Sequence, residues 1–292
     1  MKLGLGTVQF GLNYGIANPD GQTSAEEVTE ILVVAQQNDV HVIDTAALYG
    51  NSEEVLGNVL PAGHQFKLIT KTVRFDTERI TPEDASLLEQ VFVSSLQKLR
   101  STSVYGLMIH NVNDVLAQDG CRLMDSLVSL RQRGLVTKIG VSVYTAEQIE
   151  IVLEQFEIDI IQLPINVLDQ RLLQGGQLAK LKAAGVEIHA RSAFLQGLLL
   201  MEPSTLSSHF DTVKPHLNRY QEYLLQRGIT PVQAALGFVA GLDEIDVVIC
   251  GVNNHQQLEE LCTATTPLPA MDFHDFAIND DLILNPSKWQ DN

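Results

Sequence analysis

Four polar side chains follow short apolar runs in the first 110 residues, and together they have the makings of an acid–base site. They are Asp44 at the end of HVID, Tyr49 in the next loop, Lys71 at the end of KLITK and His110 at the end of YGLMIH. A phenol with an ordinary pKa near ~10 is a poor proton donor at neutral pH. A neighbouring ammonium lowers that pKa, a carboxylate holds the ammonium, and an imidazole orients a carbonyl oxygen. Brought together, the four would protonate an oxyanion while another group delivers a hydride.

Each of these residues alone has a plain structural explanation. An acid at a strand end often forms a turn, a tyrosine packs, a lysine lies on a rim and a histidine makes a structural hydrogen bond. Their joint placement at consecutive strand ends favours catalysis over four separate coincidences.

The elements that would position these residues alternate in type along the chain. Apolar runs of strand character occupy residues 3–5, 40–43, 66–70, 104–109, 136–141, 159–163, 186–190 and 246–249. Apolar residues at helical spacing lie between them, at 24–37, 82–99, 123–133, 146–156, 172–184 and 231–239. This alternation predicts an α/β fold, a (β/α)8 TIM barrel, whose chemistry lies at the carboxyl ends of the strands.

An open, doubly wound sheet is the competing fold. If it held a dinucleotide, it would carry a G-x-G-x-x-G turn after its first strand. The glycines of LGLGTVQFG have a different spacing, at Gly4, Gly6 and Gly11. The sequence therefore favours one barrel domain over residues 1–292, with a less regular loop at 193–215 and residues 267–292 as a C-terminal tail over the barrel.

Charge and composition restrict the partners. Against 19 Lys and Arg the chain has 36 Asp and Glu, a formal net charge of −17, which repels phosphate backbones and anionic lipid. Three widely spaced cysteines, no apolar run near the ~18 residues of a membrane span and no signal-peptide pattern predict a cytoplasmic protein with reduced thiols. We expect a small-molecule substrate, with no nucleic acid or membrane partner; the sequence does not indicate an oligomeric state.

Five segments resemble the aldo-keto reductase family, in order and over almost the whole chain. They are DTAALYGNSE, ITKT, LMIHN, GLVTKIGVSVYTAEQ and VVICGVNNHQQLEE. The resemblance implies a β/α barrel that reduces aldehydes and ketones with NADPH, or sometimes NADH. It also implies that Tyr49 donates the proton, that Lys71 and Asp44 tune it, and that His110 orients the carbonyl.

The resemblance further implies a cofactor held in an extended pose without a Gly-rich dinucleotide turn. The first-strand turn would lie beside the nicotinamide ribose, two residues would hold the carboxamide, ARSAFLQGLL would cover the pyrophosphate and GVNNHQQLEE would bind the adenosine. The residues carried over are, in that order, Gly6 and Thr7; Ser142 and Gln162; Arg191, Ser192, Phe194 and Gly197; and Gly251, Asn253, Gln257 and Glu260.

The chain departs from the family pattern in three places. Val143 follows Ser142 where the family usually has Asn, and Arg191 stands where an aromatic residue commonly stacks on the nicotinamide. A guanidinium plane also stacks on rings, but it adds positive charge. No Lys or Arg lies between Gly251 and Glu260, where the family often places cations for the 2′-phosphate. NADPH is the first expectation from the family, with NADH as the alternative.

Two other functions compete with a carbonyl reductase. The departures at Val143 and Arg191 suggest a regulatory barrel that binds the cofactor with little turnover. A metal-dependent hydrolase would use His41, His110 and His189, although no ligand pattern accompanies them and we expect no metal site. His41 and His189 fall within apolar runs, so we expect them in the core or the barrel interior.

The substrate pocket is predicted to have aromatic walls. The candidates are Phe10, Tyr14, Tyr144, Phe194 and Trp289. Such a rim suits aldehydes, quinones or sugars, and a sugar-derived carbonyl is our preference among these.

Overall fold

A closed barrel of eight parallel strands in chain order forms the centre of the protein, in a computed structural model that describes residues 2–264 and 271–289. The strands are β1 (Leu3–Gly6), β2 (Val42–Asp44), β3 (Lys67–Lys71), β4 (Val104–Ile109), β5 (Val136–Ser142), β6 (Ile160–Pro164), β7 (Glu187–Arg191) and β8 (Val247–Gly251). β1 pairs with both β2 and β8, which closes the barrel. The predicted (β/α)8 fold is confirmed.

Helices connect successive strands and surround the barrel. The α-helices are α1 (Val8–Gly11), α2 (Ala25–Gln37), α3 (Ser52–Val59), α4 (Pro82–Lys98), α5 (Val112–Leu116), α6 (Cys121–Gln132), α7 (Ala146–Gln155), α8 (Arg171–Gln174), α9 (Gln177–Ala183), α10 (Lys214–Leu225), α11 (Pro231–Ala240), α12 (His255–Ala264) and α13 (Asp281–Leu284). Short 3₁₀ helices occupy Leu195–Leu200, Pro203–Thr205, Ser208–Phe210, His274–Phe276 and Pro286–Lys288. No helix of the described residues is long and apolar enough to cross a membrane.

An apolar layer inside the barrel determines where the polar strand ends point. This inner layer consists of Val42, Ile69, Met108, Ile160, Val247 and Ile249. Side chains alternate along a strand, so a residue two positions later points inward again, one level nearer the carboxyl end. Asp44, Lys71, His110 and Gln162 each come two residues after a member of the inner layer. The strand pattern therefore directs all four into the barrel mouth.

Most predicted helices agree with the structure to within two residues, and local signals explain their starts. Thr81, Thr145 and Thr230 each form a capping box at the start of α4, α7 and α11. The predicted helix at 172–184 is wrong as a single element. It breaks at Gly176, whose φ of +80° is left-handed, so that α8 and α9 are separate helices.

The loop after β7 and the C-terminal segment together form a second apolar cluster beside the barrel. Loop 193–215 contains three of the 3₁₀ helices and leads into α10. From the predicted tail, Phe273, Phe276 and Trp289 pack with Tyr220 of α10, and all four are buried. Positions 267–270 and 290–292 of that tail lie outside the described residues.

Candidate active site

A buried ion pair lies at the carboxyl end of the barrel. Lys71 Nζ is 2.5 Å from Asp44 Oδ2, and neither side chain is more than 4% exposed. The same ammonium donates to the Thr45 carbonyl at 3.1 Å and to the Tyr49 hydroxyl at 3.4 Å. Gln162 Nε2 donates to the other Asp44 oxygen at 2.9 Å. The carboxylate therefore has a partner on each oxygen and holds the ammonium against the phenol.

Burial dominates the protonation of Tyr49. Burial raises the pKa of the Tyr49 phenol above its ordinary value, although the Lys71 ammonium acts in the opposite direction. Burial acts to lower the pKa of Lys71, but the Asp44 carboxylate and Tyr49 raise it above the usual value. The expectation that the ammonium lowers the phenol pKa thus holds for its own contribution and not for the net result. At neutral pH the site contains a protonated phenol and a charged ammonium.

His110 is a neutral imidazole beside the phenol. Its ring meets the Tyr49 ring edge to face, with centroids 5.7 Å apart. Burial and the positive charges of Lys71, Arg74 and Arg191 lower the pKa of His110 to about 3. Within the described part of the chain, its Nδ1 is buried and has no hydrogen-bond partner. A neutral ring can donate from one nitrogen and accept at the other, so it suits a carbonyl oxygen.

Two loops in close contact determine the position of Tyr49. A Cβ atom added to Gly11 would lie 1.8 Å from the Tyr49 carbonyl oxygen, so only glycine allows this approach. Ser52 Oγ donates to the Thr7 carbonyl at 2.9 Å, which joins the loop after β2 to the end of β1. Sequence reasoning missed Gly11 and Ser52 as supports, since GNSEE after Tyr49 indicated only a helix start.

One cavity of about 480 Å³ contains the site. Asp44, Tyr49 and His110 line it. All the predicted cofactor-binding residues line it too, namely Gly6, Thr7, Ser142, Gln162, Arg191, Ser192, Phe194, Gly197, Gly251, Asn253, Gln257 and Glu260. Lys71 lies behind the phenol, 1% exposed, and does not line the cavity. The structure brings the predicted residues to one place, while their individual roles stay predictions.

The predicted aromatic walls divide into two groups. Tyr14, Tyr144 and Phe194 line the cavity. Phe10 and Trp289 do not: Phe10 is fully buried in the core between strands and helices, and Trp289 packs edge to face on Phe210 in the second cluster. For these two residues the prediction is wrong, because packing decided their direction.

Two glutamine side chains of the cavity were missed. Gln9 comes three residues after the end of β1, and its Oε1 is buried without a partner among the described residues. It lies against Gly251, where an added Cβ would be 2.6 Å from that oxygen. Gln196 donates to the Tyr14 hydroxyl at 3.0 Å, and its own Oε1 is likewise unpartnered. Buried acceptors without donors are expected where a polar ligand binds.

The loop after β7 has an unusual backbone. Ser192, Leu195 and Gln196 have φ values of +63°, +48° and +54°, and Gly197 has +94°. Non-glycine residues with positive φ cluster at ligand-binding sites, where the surrounding contacts hold them. A Cβ added to Gly197 would meet the Ala17 side chain at 2.5 Å, so this loop closes over the cavity.

Residues that follow β8 line one part of the cavity with amides and an acid, and this part is its far end. Gln257 Oε1 accepts from the Asn253 backbone N–H at 2.8 Å, which fixes the start of α12. Glu260 also lines this end. Among the described residues that line the cavity, Arg191 is the only Lys or Arg, and it donates to the Val143 carbonyl after β5. This end thus offers hydrogen bonds without a cation.

The three histidines of the metal-hydrolase hypothesis do not meet. His41 precedes β2 and is exposed, whereas we expected it inside the strand or barrel. His189 is buried in the barrel interior, with Nε2 2.7 Å from Glu187 Oε1. His110 lies at the carboxyl end. Within residues 2–264 and 271–289, no group of three or more His, Cys, Asp or Glu could hold a metal.

Comparison with known families decides the relationship of this chain. The model of the aldo/keto reductase family matches residues 2–279. The chain belongs to that family. Members of this family generally use NAD(P)H. Membership makes this chain an oxidoreductase, and it supports carbonyl reduction as the general type of reaction.

Individual relatives of this aldo/keto reductase are distant. "Oxidoreductase sirO" of Leptosphaeria maculans is 26% identical over 271 residues, covering 82% of this chain and 80% of the relative. The glyoxal reductase of Bacillus subtilis (strain 168) is 27% identical over 181 residues, 61% of this chain and 62% of that protein.

Solved structures share the barrel. The holo form of aldo-keto reductase AKR11C1 from Bacillus halodurans has a TM-score of 0.73 at 20% identity, over 92% of this chain and 88% of that one. The glycerol dehydrogenase AKR11B4 from Gluconobacter oxydans has a TM-score of 0.71 at 20% identity, over 100% and 94%. At this identity the likeness shows the fold.

Proposed function

We propose that this chain reduces an aldehyde or ketone to an alcohol with a nicotinamide cofactor, with Tyr49 as the proton donor. The observation that carries the proposal is the chain of contacts from Asp44 through Lys71 to the Tyr49 hydroxyl, which ends at a cavity that His110 also lines. The oxidoreductase names of the relatives are consistent with this chemistry.

Tyr49, Lys71, Asp44 and His110 each have a separate role in the proposed reduction. A bound reduced nicotinamide would supply a hydride, with its two electrons, to the carbonyl carbon. The Tyr49 O–H then gives its proton to the carbonyl oxygen, so that an alcohol forms and a phenolate remains. Lys71, 3.4 Å from that oxygen, stabilises the phenolate, and Asp44 keeps the ammonium in place. Neutral His110 donates a hydrogen bond that orients the carbonyl, and solvent returns the proton to Tyr49.

The cavity fits a nicotinamide dinucleotide. Its lining comes from the carboxyl ends of β1, β5, β6, β7 and β8, and it contains the unpartnered acceptors of Gln9 and Gln196. Gly6, Thr7, Ser142 and Gln162 would hold the nicotinamide end, with the other predicted residues along the chain of the cofactor. Gln162 gives one of its two amide N–H groups to Asp44, so its side-chain oxygen and its second N–H are available to the ligand.

The cofactor preference depends on the far end of the cavity. The resemblance implies NADPH first and NADH as the alternative. A 2′-phosphate adds up to two negative charges, and Lys or Arg usually recognise it. The described lining of this end has Glu260 and no cation. We therefore expect NADH to bind at least as tightly as NADPH.

A titration tests the proposal. The cofactor-free protein is titrated with NADH and NADPH while nicotinamide fluorescence is followed, and a panel of aldehydes is then assayed for cofactor oxidation. Binding followed by turnover supports the reductase, and the ratio of the two dissociation constants tests the expected preference. Binding of neither cofactor at millimolar concentration would end the proposal.

A regulatory barrel is the second candidate function, favoured by Val143 and Arg191 at positions that usually hold Asn and an aromatic residue. Tight cofactor binding without turnover across the panel would select it. With either function we propose a cytoplasmic location and a small-molecule ligand.

A further inference from the structure

Arg191 is a cation in the active-site cavity without a carboxylate partner. It ends β7 and lines the same cavity as Tyr49 and His110. Across residues 2–264 and 271–289 it forms no ion pair with Asp or Glu.

Neutral contacts fix the Arg191 guanidinium. One terminal nitrogen donates to the Val143 carbonyl at 3.1 Å, and the other is 3.4 Å from Ser192 Oγ. The plane lies over the Tyr144 ring, 4.2 Å from its centroid. Among the described residues these bonds use two of its five N–H groups, so the side chain is held in position with donors to spare.

These contacts fix where the Arg191 charge lies relative to Tyr49 and His110. Val143 and Tyr144 follow β5, three strands away from β8, whose following residues form the far end of the cavity. Arg191 also acts electrostatically on both catalytic rings, since it lowers the pKa of Tyr49 and of His110. The guanidinium therefore lies on the β5 side of the cavity, close enough to act on Tyr49 and His110.

The charge at this end is not cancelled by other groups. Asp44 and Lys71 neutralise each other at 2.5 Å. Glu260, the other acid of the lining, lies on α12 and forms no ion pair with Arg191 among the described residues. A partly buried charge without a counter-ion is costly, and that cost is offset when an anion binds. A carboxylate matches the fork of a guanidinium in a planar, bidentate contact.

From this geometry we infer that the substrate is a carbonyl compound that also carries a carboxylate, which Arg191 binds while Tyr49 and His110 hold the carbonyl oxygen. The inference rests on the proposed reductase function. The resemblance implies Arg191 only as a cofactor-binding residue, and the inference adds a specificity role for the substrate.

A ratio of two substrates tests the inference. The pair is 4-carboxybenzaldehyde and its methyl ester, which has similar size but no charge. The ester is intrinsically the more electrophilic aldehyde, so each kcat/KM is divided by the rate of the same aldehyde with borohydride in solution before the ratio is taken. For the wild type we expect kcat/KM for the acid to exceed that for the ester by about 10-fold or more, as for a charge-assisted hydrogen bond. In Arg191→Met the ratio should fall to about one, and Arg191→Lys should be intermediate because it keeps the charge without the fork. Effects on cofactor binding fall on both substrates and cancel.

Arg74→Met is the matched control. Arg74 also lowers the pKa of His110, but it is paired with Asp76 and does not line the cavity, so the ratio should stay at the wild-type value. A wild-type ratio near one, or an unchanged ratio in Arg191→Met, would overturn the inference. So would an Arg191→Met protein that keeps the ratio but binds cofactor more weakly, since Arg191 would then serve the cofactor phosphates.

A binding measurement separates this inference from the proposed function. If no aldehyde is turned over, calorimetric titration with benzoate and with benzamide still reports on Arg191. Benzoate binding that is lost in Arg191→Met, with benzamide unaffected, supports the anion site without the reductase. Equal binding of the two compounds overturns it.

Discussion

The two ends of the barrel contain the same four kinds of side-chain group, a carboxylate, an ammonium, a phenol and an imidazole, yet only the cluster at the carboxyl end lines the cavity described above. The carboxyl-end cluster consists of Asp44, Lys71, Tyr49 and His110. The amino-end cluster consists of Glu187, Lys138, Tyr105 and His189. In both clusters a lysine lies 2.5 Å from a carboxylate oxygen.

The direction of the hydrogen bonds separates the clusters. At the amino end, Tyr105 and Lys138 both donate to Glu187 Oε2, and His189 contacts the other oxygen. The phenol proton there is already engaged. At the carboxyl end, the Tyr49 hydroxyl accepts from Lys71, and it donates to no side chain or backbone group of the described residues. Residue types alone do not make a catalytic site, because a proton must also be available beside a cavity.

Removal of the two phenols should give the largest contrast. Tyr49→Phe should lower kcat by about 10²–10⁴-fold, the usual contribution of a general acid. Tyr105→Phe should leave kcat unchanged and lower the unfolding free energy by about 1 kcal/mol, for one lost hydrogen bond. Steady-state kinetics on one good aldehyde and urea unfolding measure both effects. Wild-type turnover in Tyr49→Phe would contradict the assignment.

Removal of the two ammonium groups should separate the clusters by stability. Lys71→Met leaves the Asp44 charge buried and unpaired, so the free energy of unfolding should fall by about 3–5 kcal/mol. Lys138 is 30% exposed and belongs to a more hydrated pair, so Lys138→Met should lower the free energy of unfolding by about 1 kcal/mol or less. Denaturant unfolding measures both values. The double variant Asp44→Asn/Lys71→Met should recover part of the loss because neither charge remains. A similar loss of unfolding free energy in Lys71→Met and Lys138→Met would contradict the expected difference between the two clusters.

Acid should weaken the two clusters in different pH windows, the smallest of the three effects. The folded pKa of His110 is about 3 against an ordinary 6.5, so the unfolded chain binds the extra proton and stability falls as pH falls from about 6.5. Burial opposes charge on Glu187, but His189, Lys138 and Tyr105 lower its pKa to about 2 from 4.5, so its stabilising contribution is lost only below about pH 4.5.

Urea unfolding between pH 7.5 and 3 tests these windows. His110→Asn should flatten the profile between pH 6.5 and 4.5, and Glu187→Gln should flatten it only below pH 4.5. If Glu187→Gln flattened the profile above pH 4.5 and His110→Asn flattened it only below pH 4.5, the two pH windows would be wrongly assigned.

The sequence by itself was sufficient for the barrel and for the location of the candidate site. Alternating strand and helix patterns specify a parallel barrel because the connections are short and of one hand. Alternation along each strand then places Asp44, Lys71 and His110 in the mouth, since each follows an inward apolar residue. These signals are local, so a single chain displays them. The chemical roles of the residues stay predictions.

Only the tertiary structure decided the contacts between strands and the burial of each group. Gln162 donates to Asp44 across the barrel, and Glu187 collects donors from β4 and β5 at the opposite end. The net rise in the pKa of Tyr49 and the burial of Phe10 away from the cavity have the same origin. Distances across a closed barrel depend on strand register and tilt, and burial depends on every surrounding element. No short stretch of sequence contains that information.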